Sequence, residues 1–335
     1  MKLLIVIVNY RVPQLTIDCL HSVAQEILSI PGAQVAVCEN ASGDDSAERI
    51  QKAIAQNGWG SWCSLTVNAS NLGFTGGNNV ILKPAMHSVS PPQYFLLLNP
   101  DTVVRPNALK ALLEFMDQHL KVGISGCRLE APDGLAHRSA FRFQSPASEF
   151  ENNIRLGLVT RLLSRWVVAP PVRNEIFQTD WVAGACMMIR REVLRDVGFL
   201  DEDYFTYFDD CDFCFNAQRR GWSTWYVPTG TVVHLEGQSS GVTGKHARRL
   251  PPYYFEARRR YFLKNHSAFY AAMADIGQIT GQALWRLRIV LTGREDTSPP
   301  NYLGDSIRQS VFMRGFKLNR VANPTPMAKE ARDNF

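Results

Sequence analysis

Residues 3–8 form an unbroken apolar run rich in β-branched side chains, the pattern of a strand covered on both faces. Asn9-Tyr10-Arg11 ends it. From Pro13 the period changes, and Leu15, Cys19, Leu20, Val23 and Ile27 share one face of a helix over 13–29. The alternation then repeats. Strands are predicted at 35–38 and 65–67, with a helix at 46–57 between them capped by Asp45 or Ser46. A helix from about 78 to 88 follows, then a strand at 94–98. A helix at 106–119 turns Leu109, Leu112, Leu113 and Met116 inward, and a strand lies at 122–126. Strands alternating with helices predict an α/β fold around a mostly parallel sheet.

The second half is less regular. Seven arginines from Arg128 to Arg173 are spread through residues 127–178 together with Pro170-Pro171. This reads as a loop-rich insertion able to line an acceptor site. A strand at 180–189 opens through the small residues Ala183-Gly184-Ala185. Helices at 191–197 and 211–220 stop at Gly198 and Gly221, and strands at 224–228 and 231–233 end at His234. The boundary between a main domain, 1–240, and a basic, mainly helical extension, 241–335, is set by composition. Helices are predicted around Arg258–Lys264, at 268–292 and at 301–316, with a frayed tail from Pro324.

Charge sharpens that division. Residues 1–240 carry 20 Lys+Arg against 24 Asp+Glu, a net of −4; residues 241–335 carry 16 against 7, a net of +9. An anionic partner is expected for the basic quarter. No RNA- or DNA-binding motif accompanies it, so nucleic acid is set aside in favour of lipid head groups, with packing against the main domain the more common use of such a pattern. There is no run of 18 apolar residues and no signal-peptide cleavage pattern. Seven cysteines, an odd count scattered without paired spacing, agree with a cytoplasmic setting, with a peripheral place at the inner face of the cell membrane left open. Cys211-x-x-Cys214 has no second pair to make a zinc site.

The densest chemistry lies at residues 204–214, where Asp209, Asp210 and Asp212 sit among aromatic rings. Close carboxylates with apolar walls raise one another's pKa, as a base acting on a hydroxyl requires. They also suit a helix N-terminus. Asn71, Gly73, Phe74, Gly77 and Asn79 belong to a glycine- and asparagine-rich stretch expected to form a loop before a helix, where backbone amides approach an anion. It matches neither a P-loop nor a dinucleotide fingerprint, which argues against a dehydrogenase. A nucleotidyltransferase would carry a glycine-rich basic loop directly after the first strand, and Asn9-Tyr10-Arg11 is not one. Asn99-Pro100-Asp101 follows a buried strand, where a carboxylate can hold Mg²⁺ or Mn²⁺ against a diphosphate. His234, at another strand end, is a candidate metal ligand.

Taken in order, Val8-Asn9-Tyr10, Glu39-Asn40-Ala41-Ser42, Asn71-Leu72-Gly73-Phe74 with Gly77-Asn78-Asn79, Leu98-Asn99-Pro100-Asp101, Phe199-Leu200-Asp201-Glu202, Tyr207-Phe208-Asp209-Asp210-Cys211-Asp212 and His234 resemble the rhamnosyltransferase-type members of glycosyltransferase family 2, over roughly residues 1–265. The resemblance implies a GT-A fold, Rossmann-like with a helical C-terminal extension. It implies inverting, metal-dependent transfer of rhamnose or another deoxyhexose or hexose from a dTDP- or UDP-linked donor to a glycan or lipid-linked saccharide in cell-surface polysaccharide synthesis. It assigns Asn9, Tyr10 and Glu39 to the nucleoside pocket. Asn40, Ser42, Asn71, Gly73, Phe74, Gly77, Asn79, Asn99 and Asp101 go to the nucleotide sugar, Asp101 and His234 to the metal, and Asp210 to the base; Asp209 or Asp212 is expected to hold Asp210 or to orient the acceptor. Glu39 stands where relatives usually carry Asp, and Glu236 where many carry Gly. A non-catalytic nucleotide-sugar-binding scaffold of the same fold is the alternative; it would have no use for Asp210 as a base.

Overall fold

The computed structural model describes residues 1–235 and 248–318. Glu236 and the predicted tail from Pro324 lie outside them. The run at 3–8 becomes strand β1 (Leu3–Asn9), buried along nearly its whole length, as its lack of polar alternation requires. Strands β2 (Ala33–Glu39), β3 (Cys63–Val67) and β4 (Tyr94–Leu98) run parallel to it, with β1 between β2 and β4. Their crossovers are α1 (Pro13–Ile27), α2 (Ser46–Gln56) and α3 (Gly73–Met86). A short strand β5 (Thr102–Val104) and helix α4 (Ala108–Gln118) lead to β6 (Val122–Glu130).

The irregular stretch resolves into short pieces: β7 (Ala136–His137), β8 (Ala140–Phe141), α5 (Pro146–Ile154), α6 (Gly157–Leu162), β9 (Phe177–Thr179) and β10 (Trp181–Val182). The strand expected at 180–189 is broken. β10 pairs with β8, and after residues 183–185 the chain joins the main sheet as β11 (Cys186–Arg190), antiparallel to β4 and β6. Helices α7 (Arg191–Val197) and α8 (Asp209–Arg219) follow, then β12 (Ser223–His234). The two strands predicted at 224–228 and 231–233 are one, with an irregularity between Val227 and Thr231 where Pro228 has no N–H to donate. The sheet order is β3-β2-β1-β4-β11-β6-β12-β5, with β7 and β9 pairing at β6 and β12.

Beyond the sheet lie α9 (Pro252–Asn265), α10 (Ala268–Thr292), α11 (Tyr302–Gln309) and α12 (Val311–Arg314). The helix predicted at 301–316 is thus two, separated at Ser310. Two apolar clusters cover the two faces of the sheet. A third joins Tyr204 and Cys211, beside and on α8, to Ala257, Tyr261, Phe262, Ala271 and Val311. The arginines of the basic run turn inward. Arg258, Arg259 and Arg260 are buried, and Arg258 and Arg260 pair with Glu149, Asp275, Asp201 and Asp203. The charge at 258–264 therefore holds the C-terminal helices to the body. Among the described residues no helix is long and apolar enough to cross a membrane.

Candidate active site

Strands β1, β2, β4 and β12 run the same way, so the residues at their C-terminal ends collect along one edge. Asn9 ends β1 and Glu39 ends β2, paired in register. Asn99–Asp101 follows β4, and His234 ends β12 opposite Thr102. Strand β11 runs in reverse, so its first residue, Cys186, stands at the same edge opposite Leu98.

Asp101 is almost fully buried, and its Oδ1 accepts no hydrogen bond. His234 Nε2 lies 3.3 Å from that oxygen. The Asn99 side-chain nitrogen lies 3.3 Å from the same Nε2. The Leu235 N–H donates to the Asp101 carbonyl at 2.9 Å and ties the two loops together. An unpartnered buried carboxylate oxygen is costly, and a cation shared with the imidazole would satisfy it. Among the described residues no group of three or more His, Cys, Asp or Glu side chains is placed to hold a metal. Mg²⁺ and Mn²⁺ are commonly held by one or two protein ligands together with substrate phosphates and water. The Asp101–His234 pair fits that mode.

Helix α8 begins at Asp209, two residues earlier than its apolar pattern predicts, so the acidic cluster lies in its first turn. Tyr207 and Phe208 precede it with φ of 70° and 59°, a left-handed backbone costly for aromatic residues. The turn brings Asp210 to the backbone before β11: Gly184 N–H donates to its Oδ2 at 3.1 Å and Cys211 N–H to its Oδ1 at 2.8 Å. The Ala185 carbonyl in turn accepts from Asn99 N–H at 3.0 Å. One short segment, 184–185, thus touches both the candidate base and the candidate metal loop. Burial pushes the Asp210 pKa up, against the pull of the Gly184 and Cys211 amides. Burial, then the neighbouring Asp210 charge, pushes Asp209 well above the ordinary carboxylate range. Asp212 is engaged elsewhere: Tyr204, Lys264 and Asn265 donate to it at 3.1, 2.6 and 2.7 Å and join α8 to α9.

The glycine–asparagine stretch is not a loop preceding a helix at 78. The helix starts at Gly73, and the stretch forms its first turns. Its polar groups build the local structure. Asn40 donates to Asn71 Oδ1 at 3.0 Å and to the Gly73 carbonyl at 2.9 Å, and accepts from Asn68 and from Leu72 N–H. Gly73 has φ of 70°, and a Cβ there would run into the Phe205 carbonyl. Phe74 N–H donates to that carbonyl at 2.8 Å. Gly77 allows α3 to close on β1, since a Cβ would come within 2.7 Å of Val8. Asn79 donates to the Leu200 carbonyl and to Glu202. At the neighbouring strand ends, Asn9 accepts from Thr16 Oγ1 at 2.8 Å and donates to Ser42, and Glu39 accepts from the Ser42 amide and hydroxyl. Tyr10 and Phe74 keep half-buried rings at the same edge.

Sequence reasoning did not single out Gly184, whose amide holds Asp210, or Thr75, whose hydroxyl binds the Tyr204 carbonyl. The small triplet Ala183-Gly184-Ala185 was the available signal for Gly184. For Thr75 there was none, because its partner lies 129 residues away.

A family model described as "Glycosyltransferase like family 2" matches residues 2–250. The chain is 30% identical over 156 residues to an N-acetylglucosaminyl-diphospho-decaprenol L-rhamnosyltransferase of Mycobacterium tuberculosis. That match covers 44% of this chain and 48% of the relative, so it spans about half the length of the curated protein. A low-salt glycan biosynthesis hexosyltransferase of Haloferax volcanii is 23% identical over 216 residues, covering 63% of this chain and 62% of the relative. Among solved structures, the Pyrobaculum calidifontis mannosyltransferase in complex with GDP-Man and Mn²⁺ superposes with a TM-score of 0.54 at 13% identity, covering 94% of this chain and 84% of that one. S. aureus TarS 1–349 in complex with UDP-GlcNAc gives 0.54 at 15% identity, covering 92% and 82%. These likenesses establish the GT-A fold. With the family model spanning most of its length, the chain is a member of glycosyltransferase family 2.

Proposed function

We propose that this protein is an inverting, metal-dependent glycosyltransferase. In this reading it moves rhamnose or another hexose from a dTDP- or UDP-linked donor to a hydroxyl of a glycan or lipid-linked saccharide, on the cytoplasmic side of the membrane, in surface polysaccharide synthesis. The observation that carries the reading is the pairing of His234 Nε2 with the orphaned Asp101 oxygen at 3.3 Å, beside a segment that also binds Asp210. A divalent cation held by Asp101 and His234 would neutralise the diphosphate as it leaves.

The chain's own residues do the rest. The Asp210 carboxylate, kept basic by burial and aimed by the Gly184 amide, takes the proton of the acceptor hydroxyl. The acceptor oxygen bonds to the anomeric carbon as the bond from that carbon to the diphosphate oxygen breaks, which inverts the centre, as with paired groups on opposite faces of a sugar. Asn9, Glu39 and Ser42 form a pre-bonded floor for the nucleoside, with the Tyr10 ring beside it. Asn40, Asn71, Gly73, Gly77 and Asn79 act by holding that floor and the 200–208 loop in place. The lipid-linked acceptor is favoured by the decaprenol-linked substrate in the mycobacterial relative's name.

The test is a thermal-shift panel of nucleotide-diphosphate sugars, each with and without Mn²⁺ or Mg²⁺. One donor is expected to raise the melting temperature only with metal. A shift with no donor, under either metal, in protein that is otherwise folded would overturn the reading.

A further inference from the structure

Helix α10 has two faces, and among the described residues only one is packed against the rest of the chain. Ala271, Ala274, Gly277, Gly281 and Trp285 are part of its buried face, and the two glycines meet the α5 backbone. Phe269, Met273, Ile276, Leu284, Leu287 and Leu291 recur at steps of three and four on the opposite side, with Thr280 in the one gap. All six are exposed; Phe269, Leu287 and Leu291 retain 75%, 55% and 76% of their accessible surface. From first to last the stripe runs about 33 Å at 1.5 Å per residue. Isolated exposed leucines need no explanation, but an apolar stripe of this length with a single gap does.

Charge decides what covers it. Between Lys264 and Arg286 the only charged residue is Asp275, which is buried against Arg258. At the C-terminal end Arg286 and Arg288 precede and follow Leu287, about 100° to either side of the stripe; Arg288 also donates to the Arg155 carbonyl at 3.2 Å and lies over the Trp285 ring, and the Asp296 carboxylate stands near Arg286. Arg294, Arg308, Arg314 and Lys317 are exposed on the elements that follow. Cations beside an apolar stripe let the stems lie along apolar surface while the heads reach anionic groups. A second copy laid antiparallel would set Arg286 and Arg288 against an uncharged half-helix, without the paired acids that fix such seams.

We infer that the outer face of α10, flanked by Arg286 and Arg288, lies on an anionic phospholipid bilayer as an interfacial helix. The inference deepens the reading of a lipid-linked acceptor, because docking would hold the protein where such an acceptor is anchored. It narrows the sequence expectation of a lipid contact for the basic C-terminal quarter: the basic run at 258–264 is spent on internal pairs, which leaves the helix at 268–292, where Leu287 and Leu291 stand beside Arg286 and Arg288.

The test uses the full chain, without donor or acceptor, floated with vesicles of phosphatidylglycerol and phosphatidylcholine in equal parts and with phosphatidylcholine alone. Binding is expected only to the anionic vesicles and falling with salt. Arg286→Gln with Arg288→Gln should lower the bound fraction roughly tenfold. Leu287→Asp with Leu291→Asp should abolish it while leaving the melting temperature and the donor-induced shift unchanged. No flotation of the unaltered chain, or flotation indifferent to both double variants, would overturn the inference. So would self-association in sedimentation that the leucine variants abolish, with no vesicle binding. A metal-dependent donor shift that survives any of these results would leave the proposed activity standing.

Discussion

His234 Nε2 faces Asp101 Oδ1 at 3.3 Å, across the gap between the end of β12 and the loop after β4. The oxygen is buried and accepts no hydrogen bond, the observation on which the proposed shared cation rests. Asp101→Ala and His234→Ala should each weaken Mn²⁺-dependent nucleotide-diphosphate binding by at least about tenfold, since even residues behind a metal's ligands commonly cost that much. Titration calorimetry of the nucleotide with and without Mn²⁺ reads this directly. Unchanged affinity with metal in both variants would remove the pair from the site.

Asp210 is expected to separate binding from turnover. Asp210→Asn should keep metal-dependent donor binding and lower kcat by about 10²- to 10⁴-fold, the usual worth of a positioned base. A base works deprotonated, so kcat/KM should rise with pH through the Asp210 pKa. Burial raises that pKa, so the acid limb should lie above the range of an ordinary carboxylate. Near-normal turnover in the variant, or an acid limb in the ordinary range, would count against the base assignment.

Much of this arrangement was legible in the sequence. The strand ends carrying Asn9, Glu39, Asn99 and His234 follow from apolar runs cut by polar residues, and the sheet brings them to one edge. What could not be read was which polar groups the chain would spend on itself. Nothing local shows that Asn79 is used by Leu200 and Glu202, or that Gly73 is fixed by the Phe205 carbonyl, because these contacts span more than 100 residues. The fate of the basic run was hidden for the same reason. Arg258 and Arg260 pair with acids from α5, α10 and the 201–203 turn, none of them on their own helix.

Asp209 offers a stability test independent of turnover. Its pKa is pushed well up by burial and by Asp210, so the folded state holds a proton more tightly than the unfolded chain. Stability contributed by this group is greatest at low pH and falls as pH rises from the unfolded value towards the raised folded one. Asp209→Asn removes the penalty, so the variant should melt higher than the unaltered protein at neutral pH, with the difference vanishing in acid. Thermal melts across pH would show it. A variant that melts lower at neutral pH would mean that the ionised Asp209 is compensated at the helix N-terminus.

Arg258 ties four helices together. Its guanidinium reaches Asp275 on α10 at 2.5 Å and Glu149 on α5 at 3.0 Å, and the second Asp275 oxygen accepts from Val311 N–H at the start of α12 at 2.7 Å. All three charged side chains are almost wholly buried. Replacing such a pair by apolar groups can be neutral, but deleting one partner leaves the others charged in a poor solvent. Arg258→Ala strands two carboxylates at once and should cost about 3–5 kcal/mol. Burial already pushes the Glu149 pKa up, held back chiefly by the Arg258 charge, so without the arginine Glu149 should take a proton more readily. Protonation relieves the stranded charge, so the loss should be largest at neutral pH and shrink as pH falls. Urea unfolding at neutral and mildly acid pH measures both parts. A variant within about 1 kcal/mol of the unaltered protein at neutral pH would show that water reaches this network and that the C-terminal helices are held by their apolar contacts instead.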